Sequence, residues 1–330
     1  MRTIKIKKTR FLKIVLVSLS FLSAVLNNAF AEDQTQTETK DTEIQEPLSE
    51  DTSTSPNYRQ ELRKVISEKE EFQPQELDAY VRYMPSAGAG SQSGKIGITD
   101  SAAEYSYEIK AFGELPIQFA VGSRYIGIEN STAVKLPAHL TSTVFGVETT
   151  LPFFNFDKTY LTIGVAPSFF SDNWNFRTSS FSLMQRYFLI YQPTDKWVFV
   201  CGVEYNPRFR DPVSPILGFI YKPNDRLAFN IIPESPEVSY LLNDKFTVFI
   251  QGDSTSNEYR VTKDNLKNVV LNYNEMHLGA GLRCKWNKNI TGSFTSGAVF
   301  NRSIKYRQDS LGKVTVKNGF YTELSLIVAL

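Results

Sequence analysis

The sequence predicts an all-β chain: a transmembrane, antiparallel, up-and-down β-barrel of about 14 strands, with 12 as the alternative, preceded by a disordered segment and one short helix. Three observations predict it. Apolar and small or polar residues alternate with a period of two over segments 9 to 11 residues long. Of 43 aromatic residues, all but Phe11, Phe21, Phe30, Tyr58 and Phe72 lie beyond residue 76, and they gather at segment ends. Short turn-forming links alternate with longer ones.

The first 31 residues read as a secretory signal peptide. Arg2, Lys5, Lys7, Lys8, Arg10 and Lys13 precede an apolar run from Ile14 to Leu26 and the small-x-small site Ala29-Phe30-Ala31. The run is shorter than the ~20 residues a spanning helix needs. Without that leader the chain carries 30 Lys and Arg against 35 Asp and Glu, a net −5 that gives no argument for binding nucleic acid. Residues 32–56 hold eight acids and one base, Lys40, among Thr, Ser and Gln, a composition too polar to offset the entropy of ordering. Residues 57–76 are expected to form a short amphipathic helix, because Tyr58, Leu62, Val65 and Ile66 share one helical face.

The barrel is expected over residues 77–330. In the segment from Ile117 to Tyr125, the bulky Ile117, Phe119, Val121 and Tyr125 oppose Gln118, Ala120, Gly122 and Arg124. Trp197, Phe199, Cys201, Val203 and Tyr205 oppose Val198, Val200, Gly202 and Glu204. Met276, Leu278, Ala280, Leu282, Cys284 and Trp286 oppose His277, Gly279, Gly281, Arg283 and Lys285. Such a period marks long strands. A soluble sandwich alternates too, but its strands average nearer five or six residues and its outer face is more uniformly charged. Aromatic residues at both ends of a segment fit a strand crossing two lipid interfaces.

The polar face then lines a lumen, whose candidates are Gln118, Arg124, Glu148, Glu204, His277, Arg283 and Lys285. His277 is positioned to join an internal network with Arg283 or Glu204. Tight links at 113–115, 152–157, 192–195, 222–225, 243–244 and 287–288 belong on the periplasmic side. Longer links at 85–103, 127–138, 170–179, 206–212, 252–269 and 302–318 belong outside. The pair of segments around Pro233 and Pro236 is short, and its loss would lower the count to 12.

Two resemblances add to this. Leu324, Leu326, Val328 and Leu330 alternate to the chain end, which resembles the C-terminal strand by which outer-membrane proteins are recognised for insertion, with Leu330 in place of the usual aromatic. The stretch Pro215-Ile-Leu-Gly218-Phe-Ile-Tyr221-Lys-Pro223-Asn-Asp225-Arg-Leu-Ala-Phe229, with Pro233, Pro236 and Tyr240, resembles a family of uncharacterised bacterial outer-membrane β-barrel proteins known only as a domain of unknown function. The likeness covers most of Leu77–Leu330. It implies an outer-membrane location, a lipid bilayer around the wall, and periplasmic chaperones and the barrel insertion machinery as partners. It supplies no catalytic residues.

Catalytic and metal motifs are missing: the chain has two His and two Cys, with no HExxH, CxxC, phosphate loop or GxSxG. His139-Leu-Thr-Ser142 does not match the His-x-Ser-Asn-Gly of barrel phospholipases. Cys201 and Cys284 fall on the predicted lipid face of separate strands and read as small apolar residues. The sequence therefore predicts no enzyme and no cofactor. It predicts a porin-like or small-solute channel, with a structural or surface-interaction barrel of closed lumen as the alternative.

Overall fold

A computed structural model describes residues 75–330, apart from 91–92, 112–114, 155, 175, 234, 264–265 and 309–310. The expected signal peptide and acidic linker, and the expected helix up to residue 74, lie outside the described residues. Residues 75 and 76 belong to the first strand.

The strands are β1 (Gln75–Gly88), β2 (Lys95–Ala111), β3 (Leu115–Asn130), β4 (His139–Pro152), β5 (Thr159–Ser171), β6 (Phe181–Thr194), β7 (Trp197–Tyr205), β8 (Val213–Asn224), β9 (Leu227–Asn230), β10 (Glu237–Asn243), β11 (Phe246–Lys263), β12 (Leu266–Lys285), β13 (Ile290–Tyr306), β14 (Lys313–Val316) and β15 (Gly319–Ala329). Each pairs antiparallel with its predecessor through β13, and β15 pairs with both β13 and β1. The ring is therefore closed. β14 is no further stave: it occupies the same slot as β15, pairing with β13 and bridging Ala89 of the segment after β1 through Val316. Fourteen strands thus form the cylinder, and the short segments flanking Pro233 and Pro236 are both retained as staves.

Closure leaves no free edge around most of the wall, so the backbone is satisfied from strand to strand. Side chains divide as the period of two requires. Along β12, Leu271, Tyr273, Glu275, His277 and Gly279 are buried while Met276, Leu278, Ala280 and Leu282 are exposed. Phe119, Val121, Phe145, Val147, Val165, Phe199, Val248, Ile250, Phe294 and Leu324 continue an outward apolar belt around the ring. Cys201 and Cys284 are free thiols on that outer face.

Inward glycines make room for inward rings on the neighbouring strand. A Cβ on Gly202 would lie 2.5 Å from the Phe188 ring, and one on Gly281 would lie 2.4 Å from the Phe249 ring. The barrel is thereby filled by side chains rather than left empty. One apolar cluster, including Met84, Ile98, Ile126, Leu140, Phe170, Tyr259 and Tyr306, closes the end that carries the long hairpins. A second, Phe188, Ile190, Val198, Val200, Ile216, Ile220 and Ile232, lines the inner face of β6, β7 and β8.

Three of the long links expected from sequence are mostly strand. β1 and β2 run into 85–103, β11 and β12 occupy nearly all of 252–269, and β13 and β14 occupy much of 302–318. These extensions pass the apolar belt, so one of their faces no longer needs apolar residues and the alternation that marks a strand fades.

Candidate functional site

The bore is built around two arginines that no apolar barrel would hold without partners. Arg82 of β1 carries 5% side-chain exposure and sits among three carboxylates. Its Nε donates to Glu323 at 2.6 Å, one terminal nitrogen donates to Asp253 at 2.8 Å, and the other lies 3.8 Å from Asp100. That second nitrogen also meets Nδ1 of His277 at 3.2 Å. Arg124 of β3 forks onto Asp100 at 2.8 and 2.7 Å and reaches Thr255 of β11 at 3.2 Å. The Tyr80 hydroxyl donates to Asp100 at 3.2 Å.

Topology shows that these contacts cross the lumen. β3 and β11 stand six steps apart around the ring, and β1 and β11 four. In a closed cylinder, side chains on such strands meet only through the interior. The ionic set therefore spans the bore. On its far side the Tyr273 hydroxyl donates to Glu275 at 2.6 Å, and His277 Nε2 lies 3.5 Å from Glu275. The Tyr321 ring packs edge-on against His277 at 5.0 Å, over a hollow left by Gly279. Two full charges held this far from bulk water are costly unless paired and hydrogen-bonded, and each cation here has carboxylates within reach.

A bulge adds a third cation. β12 and β13 slip register between Asn274 and Met276, so that Asn301 and Arg302 together oppose Glu275. Asn301 takes a left-handed φ of 52°, which Asn tolerates. The extra residue reverses parity along the rest of β13. Before it Phe294 points outward; after it Arg302, Ile304 and Tyr306 point inward and are buried. The three guanidinium nitrogens of Arg302 have no hydrogen-bond partner among the described residues, and the opposing charge nearby is Glu275.

The seven lumen candidates do not converge on one site. Arg124 and His277 belong to the central network. His277 meets Arg82 and not the expected Arg283 or Glu204, because β1 is brought opposite β12 by the intervening β13 and β15. Glu204 pairs with Arg186 at 3.3 Å on the neighbouring strand. Arg283 forks onto Glu237 at 3.2 and 2.8 Å and stacks over Phe249. Gln118 and Glu148 face each other across β3 and β4, with Glu148 folded over Gly164. Lys285 lies at the far end of β12, opposite Thr291. The reading from sequence missed Arg82, Asp100, Asp253, Glu275 and Glu323, which form the centre. Their signal was parity: Asp78, Tyr80 and Arg82 alternate with Leu77, Ala79, Val81 and Tyr83.

Above the ions the mouth is crossed. β11 bends inward until Arg260 pairs, in parallel, with Ser171 of β5, six steps away around the ring. The amide of Thr262 donates to Asp172 at 2.8 Å, and Tyr259 and Phe170 meet edge to face at 5.8 Å. Every ladder of the wall is antiparallel, so this single parallel contact is the signature of a strand laid across the opening.

A closed up-and-down barrel with an apolar outer belt, an ion-paired bore and a mouth crossed by its own hairpin defines the class: a 14-stranded antiparallel β-barrel resembling outer-membrane porins. A family model, Domain of unknown function (DUF6268), matches residues 120–328, and the chain belongs to that family. No curated protein matches the sequence. Among solved structures the chain is similar in fold to an outer-membrane channel from Pseudomonas putida F1, at 9% identity over 84% of this chain and 100% of that one, with a TM-score of 0.45. It is similar also to a Pseudomonas aeruginosa FadL homologue, at 12% identity over 77% and 89% with a TM-score of 0.41. The KdgM porin matches at 10% identity over 77% and 99%, with a TM-score of 0.34.

Proposed function

We propose that the protein is a porin-like channel of the bacterial outer membrane, closed at rest, whose β11–β12 hairpin is the gate for a small solute. The observation that carries this is the parallel contact of Arg260 with Ser171 across the mouth. It is one short bridge, anchored by Asp172 and Glu258, and not a full ladder. The charges beneath it support a conducting bore. Replacing buried ion pairs by packed apolar groups is often neutral or stabilising, so a barrel that served only as a plug has no need of Arg82, Arg124 and Arg302. Cations and carboxylates interleave along the path, which favours weak ion selectivity.

The leader at 1–31, the chaperones and insertion machinery, and the C-terminal strand as their recognition signal belong to the same reading. So does a non-catalytic role. The test is conductance in planar bilayers, comparing the wild-type chain with a variant in which residues 258–272 are replaced by an Asn-Gly turn, which preserves the Asn257–Tyr273 register. Rare openings in the wild type and a steady conductance in the variant are expected. Silence in both, with and without residues 32–76, would favour the alternative, a structural or surface-interaction barrel whose lumen stays closed.

A further inference from the structure

The wall is not of even height. β9 and β10 are only four and seven residues long, whereas β8 and β11, the strands on either side, continue well past them. The last contacts of the short pair are Ile231 N to Phe219 O at 2.8 Å on one side and Gly252 N to Pro236 O at 2.7 Å on the other. Above that level Val213–Gly218 of β8 and Asp253–Ser256 of β11 have no strand between them among the described residues. The upper rim is closed by the loop after β7, whose Arg210 amide donates to Glu258 at 3.0 Å. The result is a window in the wall. Its height is about 20 Å of strand, and three strand spacings make its base roughly 14 Å wide.

The window spans the upper limit of the apolar belt, still apolar on its β8 side but polar on its β11 side, which leaves the belt at Gly252. Leu217 is 75% exposed, more than most belt residues, and Val213 is exposed beside it. The β8 edge is also blunted against an added strand. Phe219 turns its carbonyl toward the window side, so Pro215 and Leu217 do the same, and Pro215 has no N–H to offer a ladder. The opposite edge is polar: Ser254 and Ser256 are exposed, and Gly252 sets their backbone groups facing the gap. Inside, the window opens on the apolar face of Ile216 and Ile220. That face is covered by Ile232, fully buried, whose chain passes 2.8 Å from where a Gly218 Cβ would stand.

Resting on the reading of the barrel as embedded in a bilayer, we infer that this window admits a single-chain amphiphile between the bilayer and the bore, with its alkyl chain along Leu217, Ile216 and Ile220, its polar head on the Ser254 and Ser256 edge, and Ile232 as the plug it displaces. A strand from another chain is disfavoured by Pro215, and a bulk-water solute by the apolar inner face. An unsatisfied strand edge at the upper limit of the belt is costly, and a polar head supplies the partner that the β11 edge lacks.

The test is photolabelling of the full chain, reconstituted in phosphatidylcholine vesicles, with a palmitate analogue bearing a diazirine on its alkyl chain, followed by peptide mapping. Adducts are expected on Ile216, Ile220 and Ile232 as well as on belt residues such as Leu217 and Leu278. Ile232→Ala is expected to raise labelling of Ile216 and Ile220 at least threefold. A labelled belt with the inner residues at background, in both wild type and Ile232→Ala, overturns the window while leaving the barrel in the membrane. An unlabelled belt overturns the bilayer reading, and the window with it.

Discussion

Replacing Arg82 by methionine removes the cation that Glu323, Asp253 and Asp100 share, at 2.6, 2.8 and 3.8 Å. Methionine retains most of the volume, so the loss is electrostatic and little cavity is created. Glu323 and Asp100 are almost wholly shielded, at 9% and 0% side-chain exposure, whereas Asp253 at 30% regains some water. Arg124 still neutralises Asp100, so the uncompensated charge falls mainly on Glu323. Breaking one such buried pair costs about 3–5 kcal/mol. A domain of this size shifts by about 2–4 °C per kcal/mol, so the loss of the compact form is expected roughly 6–20 °C lower. The assay is the temperature at which the folded, fast-migrating species disappears in detergent electrophoresis, measured at fixed heating rate because barrel unfolding is a rate process. Adding Glu323→Leu to Arg82→Met is expected to recover at least half of that shift, since the stranded carboxylate is gone. A melting temperature for Arg82→Met within about 2 °C of wild type would refute the claim that Arg82 is what neutralises the centre of the bore.

Three further outcomes follow from single contacts. Leu282→Arg, opposite Val248 in the middle of the outward belt, is expected to cost about 2–4 kcal/mol, read as the folded fraction in a urea titration with vesicles present; no loss would place β12 outside hydrocarbon. Gly281→Leu drives a side chain into the Phe249 ring and the Phe294 carbonyl, where even a Cβ would stand 2.4 and 2.6 Å away, and is expected to destabilise by at least about 1–3 kcal/mol in the same titration. Tyr306→Phe removes the 2.8 Å bond to the Lys135 carbonyl, which ties β13 to the loop after β3, and is expected to cost about 1 kcal/mol in that titration and to speed hydrogen exchange of residues 131–138.

What the sequence made legible was the outward face. Phe119, Val121, Phe199, Val203, Leu278 and Leu282 recur every second residue because they share the apolar outer belt, and the opposite parity followed for Arg124 and His277. Asp253-Ser-Thr-Ser-Asn-Glu258 shows no such rhythm, since past Gly252 the outward face of β11 is polar as well, and a strand there looked like a loop. Arg302 was hidden for a different reason. Counted from Phe294 and Phe300 it falls on the outer face, and only the extra residue at Asn301 turns it inward. Nor could local pattern choose the partner of His277, because Arg82 reaches it only once the first and last strands have closed the ring.

The interior is divided, and the division bears on how such a barrel could work. β15, β13, β1, β2, β3, β11 and β12 contribute the central charges, while β6, β7 and β8 contribute Phe188, Ile190, Val198, Val200, Ile216 and Ile220 beside one ion pair, Arg186–Glu204. If filling were the only requirement, the second half would serve all round, because dry apolar packing holds a small barrel without desolvating ions. The charged half is instead the half that the crossing hairpin hangs from: β11 and β12 supply Asp253, Thr255, Glu275 and His277 to the network and, a few residues further on, Tyr259, Arg260 and Thr262 to the mouth. Loss of the Arg82–Asp253 bond therefore acts on the base of the same strand whose tip is held by Asp172. A perturbation of the ions need not travel through the wall to reach the hairpin across the mouth, because both contacts are carried by one continuous piece of β11, nine residues apart.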